Sequence, residues 1–187
     1  MNTNSPVYNI YSPELIDFTA VGVEFATLVE TPTEARELVL GLLQILPRLY
    51  LQTMRLPEYL YSPEEDYIEE YITEYGYERV RGALADVLGE QDTFLRLSAE
   101  DAQGEQTPTL SFISECLADV YQHVGNLLGI VKERNELALP AAIGRCLALF
   151  REYWGEQLLT AQMAMHRLYV QYQSEHDDAE EDAYQED

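Results

Sequence analysis

The chain has 187 residues, 34 Asp and Glu against 11 Lys and Arg, and a formal net charge of -23. A field of that sign repels polyphosphates, nucleic-acid backbones and anionic membranes, which argues against direct binding to nucleic acid or a membrane surface. The apolar fraction of 47% is enough to build the core of one domain, so disorder of the whole chain is not expected.

Three proline signals punctuate the first half. Ser12-Pro13-Glu14, Thr31-Pro32-Thr33-Glu34 and Ser62-Pro63-Glu64-Glu65 each read as an N-cap, a proline at the first helical position and acid in the first turn. Proline lacks only an N–H that is orphaned there anyway, the cap oxygen takes up another donor, and the carboxylates face the positive helix end. The second and third also have capping-box spacing.

A first helix is predicted over 13–30, with Leu15, Phe18, Val21, Phe25 and Leu28 in one stripe. A second, over 32–55, is apolar nearly all round, since ten of the fourteen residues from Leu38 to Leu51 are apolar. It is expected in the middle of a bundle and bent at Pro47. Arg48 there either pairs with a carboxylate or reaches water. A short helix over 63–75 and a longer one over 77–89, carrying Val80, Leu84, Val87 and Leu88, are separated near Gly76.

The polar stretch from Gln91 to Thr109 reads as a surface connection. A further helix over 110–134 places Ile113, Leu117, Val120, Val124, Leu128 and Val131 on one face, with Asn135 at its end. The last helix starts near Pro140 and extends to about 173, roughly 50 Å at 1.5 Å per residue. Its stripe is Ile143, Leu147, Phe150, Trp154, Leu158, Ala161, Met165 and Leu168. No segment of useful length alternates with period two, so the fold class is all-α: a single-domain bundle of five to six helices with a long C-terminal helix.

Around that bundle, 13–173, lie a flexible N-terminal segment, 1–12, and an acidic disordered tail, 174–187. The tail holds eight acids and no Lys or Arg, yet the rest still carries 26 acids against 11 bases. Gly22, Gly41, Gly82, Gly125, Gly129, Gly144 and Gly155 fall inside predicted helices, at a cost near 1 kcal/mol each relative to alanine. Close helix approach is the expected compensation, above all at Gly125 and Gly129, one turn apart. Gly155 is the strongest candidate for a helix break.

The opening residues lack a basic, then apolar, leader pattern, and no run reaches the roughly 18 apolar residues of a membrane span. The protein is therefore expected in the cytoplasm. Cys116 and Cys146 sit among apolar helical residues and read as buried free thiols of a reducing compartment; a disulfide between them is the alternative.

Glu115, Asp119 and His123, spaced four apart, could offer a divalent metal two carboxylates and an imidazole. The paired Glu-x-x-His pattern of helical di-iron sites is absent. The three also fall about 200°, 240° and 280° around the helix from Ile113, at 3.6 residues per turn, and are expected to face water. His166 lies off its helix's apolar stripe and His176 lies in the tail, so a nucleophile–histidine device has few possible members. Neither cysteine has a sequence-near basic partner, and there is no phosphate loop, HExxH or CxxC. No cofactor and no metal ligand is assigned.

Six tyrosines (59, 61, 67, 71, 75 and 77) lie within nineteen residues, interspersed with acid. Tyr67, Tyr71 and Tyr75 are expected to line one side of the predicted 63–75 helix. They would receive a basic peptide or protein there, or else roof the core with their hydroxyls in water. The final helix is apolar on a second side as well, at Leu159, Met163 and Val170. A helix of that kind is enclosed by its own domain or shared with a second copy in a two-fold dimer.

Three stretches, LLQILPRLYLQ at 42–52, ISECLADVYQHVGNLLGIVK at 113–132 and FREYWGEQLLTAQMAMHRLY at 150–169, together resemble a family of small bacterial proteins known as a domain of unknown function. The resemblance spans about 13–170 and leaves out the tail. It implies an all-helical cytoplasmic domain and brings no activity, cofactor or site residue with it.

The function expected from these features is that of a non-enzymatic, acidic accessory protein that binds a basic protein partner or self-associates. Its surfaces would be Tyr67, Tyr71 and Tyr75, and Leu159, Met163 and Val170. A metal-assisted enzyme with carboxylates converging from several helices is the competing reading. Mimicry of nucleic-acid charge is the third.

Overall fold

The computed structural model describes residues 11–97 and 108–185. Helix α1, Pro13–Glu30, starts as its sequence requires, with Ser12 Oγ accepting from the Leu15 N–H at 3.4 Å. It buries Leu15, Phe18, Val21, Phe25 and Val29. Helix α2, Ala35–Arg55, begins three residues later than predicted, because residues 31–34 make the reversal between two packed helices. Thr31 Oγ1, the expected cap, donates instead to the Thr27 carbonyl at 3.0 Å. Pro47 lies inside α2 on its water-facing side, where the Leu43 carbonyl it deprives of a donor can be hydrated. Arg48 forks onto Glu24 at 2.7 and 3.2 Å.

The central helix is α4, Ile113–Lys132, and not α2, which leaves Leu40, Leu51 and Met54 exposed. α1, α3, α5 and α6 all pack on α4, so it is buried around most of its circumference.

The predicted helix over 63–75 does not form. Its opening signal makes one turn, closed by the Ser62 N–H donating to Asp66 Oδ2 at 2.9 Å and the Asp66 N–H to the Ser62 carbonyl at 2.8 Å. A side chain that captures a local N–H competes with helix propagation. Residues 56–73 instead run as a strap across α4 and α5. Asn126 Oδ1 accepts from the Tyr71 and Ile72 N–H groups at 2.7 and 2.9 Å, replacing bonds that a helix would have supplied.

Glycines on the underlying helices let the strap in. A Cβ on Gly125 would sit 2.7 Å from Ile72, one on Gly144 2.8 Å from the Tyr59 ring, and one on Gly129 would overlap the Tyr71 ring. At these three positions the close approach comes from the strap, including the Tyr59 carbonyl at Gly144, and not from a neighbouring helix.

Helix α3, Glu74–Leu88, is capped by Thr73, whose Oγ1 accepts from the Gly76 N–H, and ends at Gly89 with φ +55. A 3-10 turn, Gly89–Asp92, leads into a β-hairpin where a plain connection was expected. Strand β1, Thr93–Leu97, pairs antiparallel with β2, Pro108–Phe112, and Leu95 stands opposite Leu110. Asp92 is buried and accepts from both the N–H and Oγ of Ser114 at 2.7 Å, which secures the start of α4. Residues 1–10 and the hairpin link 98–107 lie outside the described residues.

Past Lys132, Arg134 adopts a left-handed φ of 55 and Asn135 Oδ1 accepts from the Ala138 N–H, fixing the approach to α5, Leu139–Leu149. A π-helical turn, Phe150–Trp154, joins α5 to α6, Gly155–Gln185. The predicted last helix thus runs through, with one wide turn. Trp154 is fully buried and donates Nε1–H to the Cys146 carbonyl at 3.0 Å. The acidic tail, expected to be disordered, continues α6 as far as Gln185; extending a formed helix costs far less than nucleating one. The fold is all-α with a single hairpin among the described residues.

Candidate binding groove

Where the strap reaches α3, an open groove of about 680 Å³ lies against α4. Four carboxylates line it: Glu70 from the strap, Glu74 and Glu78 from α3, and Asp119 from α4. Asp119 was expected to face water, but it is only 9% exposed. α3 and the π turn cover that side of α4. Each contributes a phenol: Tyr77 Oη donates to Asp119 Oδ1 at 2.9 Å, and Tyr153 Oη donates to Oδ2 at 2.5 Å. Burial, reinforced by the Asp119 charge and these bonds, pushes both phenols well above the usual tyrosine range, so both stay protonated donors. The extra residue in the π turn lets Trp154 point inward while Tyr153 reaches Asp119.

The groove carboxylates differ in how they are balanced. Glu70 pairs with Arg145, and Glu78 with Arg81 at 2.6 Å. Among the described residues, neither Glu74 nor Asp119 has a Lys or Arg partner. His123, half-buried behind Asp119 with its ring 6.0 Å from Tyr153, is held below the ordinary imidazole range by burial, against the opposing pull of Asp119. It is neutral at pH 7 and leaves the carboxylate charge in place.

Glu115 is exposed while Asp119 is turned inward. Among the described residues, no group of three or more His, Cys, Asp or Glu is placed to hold a metal ion. Cys116 and Cys146 are free, buried thiols pushed up to about 12 by burial. His166 is exposed on α6, and His176 lies beyond the described side chains.

The tyrosine row dissolves with its helix. Tyr67 and Tyr75 are 91% and 79% exposed. Tyr71 packs its ring over Gly129 and donates its hydroxyl to Glu133 at 2.9 Å, a bond that raises its pKa to about 12. Tyr71 therefore fastens the strap. Leu159, Met163 and Val170 share one side of α6 and are 46–49% exposed. Sequence reasoning missed the Tyr77–Asp119–Tyr153 cluster and the role of Asn126. The available signal was a carboxylate on a helix whose neighbours are nearly all apolar.

These features define a helical, acid-lined domain with a tyrosine-rich strap. The chain belongs to the family described as Domain of unknown function (DUF5063), whose model matches residues 9–171. None of the curated proteins matches it. Among solved structures it is similar to the crystal structure of protein BF1032 from Bacteroides fragilis, at 28% identity and a TM-score of 0.71, over 85% of this chain and 94% of that one. No helix among the described residues is long and apolar enough to cross a membrane.

Proposed function

We propose that the protein is a non-enzymatic accessory protein that binds a basic segment of a partner protein in the groove between the strap, α3 and α4. The observation that carries this reading is Asp119: a carboxylate nine-tenths buried, held by two neutral phenols and open to a groove that supplies it with no cation. Burial of an unbalanced charge is costly, and an incoming guanidinium or ammonium would relieve it. Glu74 adds a second unbalanced carboxylate to the lining of the same groove. The net charge of -23 steers such a partner and disfavours nucleic acid or an anionic membrane. The reading places the protein in the cytoplasm, in keeping with two buried free thiols.

Titration of the full chain with a fluorescent Arg- and Lys-rich peptide tests it. Affinity should fall at least tenfold in Asp119→Asn and in Glu74→Gln with Glu78→Gln, and it should weaken steadily with salt. Equal affinity in wild type and both variants would refute the groove as the binding surface.

A further inference from the structure

A second surface has the opposite character. From Gln157 to Ser174 there is no Asp or Glu, and neither hairpin strand, Thr93–Leu97 or Pro108–Phe112, contains one, in a chain with 34 acids among 187 residues. α6 is fastened to the hairpin by Arg96 on Glu156, and to the 3-10 turn that precedes the hairpin by Tyr172 Oη on Gln91 at 2.5 Å. Both expose apolar side chains: Leu159, Met163 and Val170 on α6, and Leu95, Leu110 and Phe112 on the hairpin. Leu95 and Leu110 are direct cross-strand partners. A two-stranded hairpin is marginal by itself, and the row of exposed apolar side chains on α6 is of the kind that marks an interaction surface.

Arg167 lies on the same side of α6, one turn beyond Met163. Among the described residues it has no carboxylate partner, although acids outnumber bases threefold; its guanidinium leans on Met163 Sδ at 3.8 Å. At 3.6 residues per turn, Glu156, Leu159, Met163, Arg167 and Val170 lie within about 40° of one line along α6, and Glu152 precedes them in the π turn. We propose that this line is the contact between two copies of the chain, their α6 helices antiparallel about a two-fold axis level with Ala161. In that register Leu159 of each copy faces Met163 of the other. Arg167 comes level with position 155 of the second copy, between its Glu152 and Glu156, which also holds Arg96.

The occupant is a second copy because the stripe is self-complementary: an apolar centre, an unpaired cation at one end and carboxylates at the other, repeated twice by one axis. Elsewhere two bodies of charge -23 repel; along this stripe they can approach without stacking acid on acid. The stripe's carboxylates are answered by Arg167 of the second copy and its centre carries no acid, which separates this surface from the groove.

Sedimentation equilibrium of the full chain in about 0.15 M salt, the physiological range, should give twice 21.4 kDa at high concentration. Met163→Glu, which sets like charges near the axis, should leave a monomer with unchanged helicity. Arg167→Glu should raise the dimer dissociation constant at least tenfold, and adding Glu152→Arg and Glu156→Arg should restore most of the loss. A wild-type monomer up to about 1 mM, where even a weak millimolar association would register, would overturn the proposal. So would a dimer indifferent to Arg167→Glu, failure of the triple variant to recover, or loss of basic-peptide binding in Met163→Glu.

Discussion

The strap side and the α6 side of this molecule solve opposite problems with the same central helix between them. On the strap side, irregular backbone lies on glycines and is fixed by side chains: Asn126 holds two N–H groups and Tyr71 reaches Glu133. Acid collects there because the strap and the first turns of α3 face water. On the α6 side, regular helix carries its own hydrogen bonds, so the surface is free to be apolar and acid-free over many turns. The difference teaches that the charge of -23 is not a uniform coat. One face concentrates unbalanced carboxylates and the other carries no acid from Gln157 to Ser174, the contrast on which the two proposed contacts rest.

Trp154→Ala should have the largest effect and should not discriminate between the faces. The indole is fully buried at the π turn, bonded to the Cys146 carbonyl and packed on Phe150 at 4.7 Å. Its loss should cost about 3–5 kcal/mol, a large share of a domain's stability. Urea unfolding should show one cooperative transition shifted as a whole. Two separated transitions would mean that the faces are independent folding units.

Asn126→Ala should hit one face only. Leaving the Tyr71 and Ile72 N–H groups without an acceptor should cost about 2 kcal/mol and release the strap. Limited proteolysis should then cut within 57–73 well before α6, basic-peptide binding should weaken, and self-association should be unchanged. Tyr77→Phe is smaller, about 1 kcal/mol for one hydrogen bond at a partly exposed site. It should alter peptide affinity more than melting temperature, because it removes one of the two donors on Asp119.

The difference between the faces also explains what the sequence disclosed. The helices α1, α4 and α6 were legible because their apolar residues recur with helical period and their caps are local signals, as at Ser12. The strap was not. Tyr67, Tyr71 and Tyr75 have helical spacing, yet Asp66 takes the Ser62 N–H and Asn126, more than fifty positions away, takes the next donors. A tertiary acceptor overrode a local pattern, and no local reading contains it. The hairpin was hidden because each strand has five residues and a polar link separates them. Asp119 looked solvent-facing because helical angle measures distance from one apolar stripe, whereas α4 is covered on several sides. Glycine spacing was informative about close approach at 125 and 129, but not about what approaches.

His123 sharpens the comparison at its weakest point, where the groove meets the core. Burial lowers its pKa below the ordinary 6.5, with Asp119 acting to raise it and Arg145 to lower it. A base that is depressed in the folded state binds fewer protons there than in the unfolded chain. Folding stability should therefore be fully present above about pH 6.5, the unfolded value, and should decline as pH falls toward the lower folded pKa. Glu70 and Asp119 face the imidazole from the strap and from its own helix, and both favour its protonation, so the decline should be shallow. A cation seated on Asp119 would remove that help and steepen it. Urea midpoints between pH 7.5 and 5.5, with and without basic peptide, should therefore diverge in wild type and run parallel in His123→Gln. Parallel curves in both proteins would mean that the peptide does not reach the buried carboxylate.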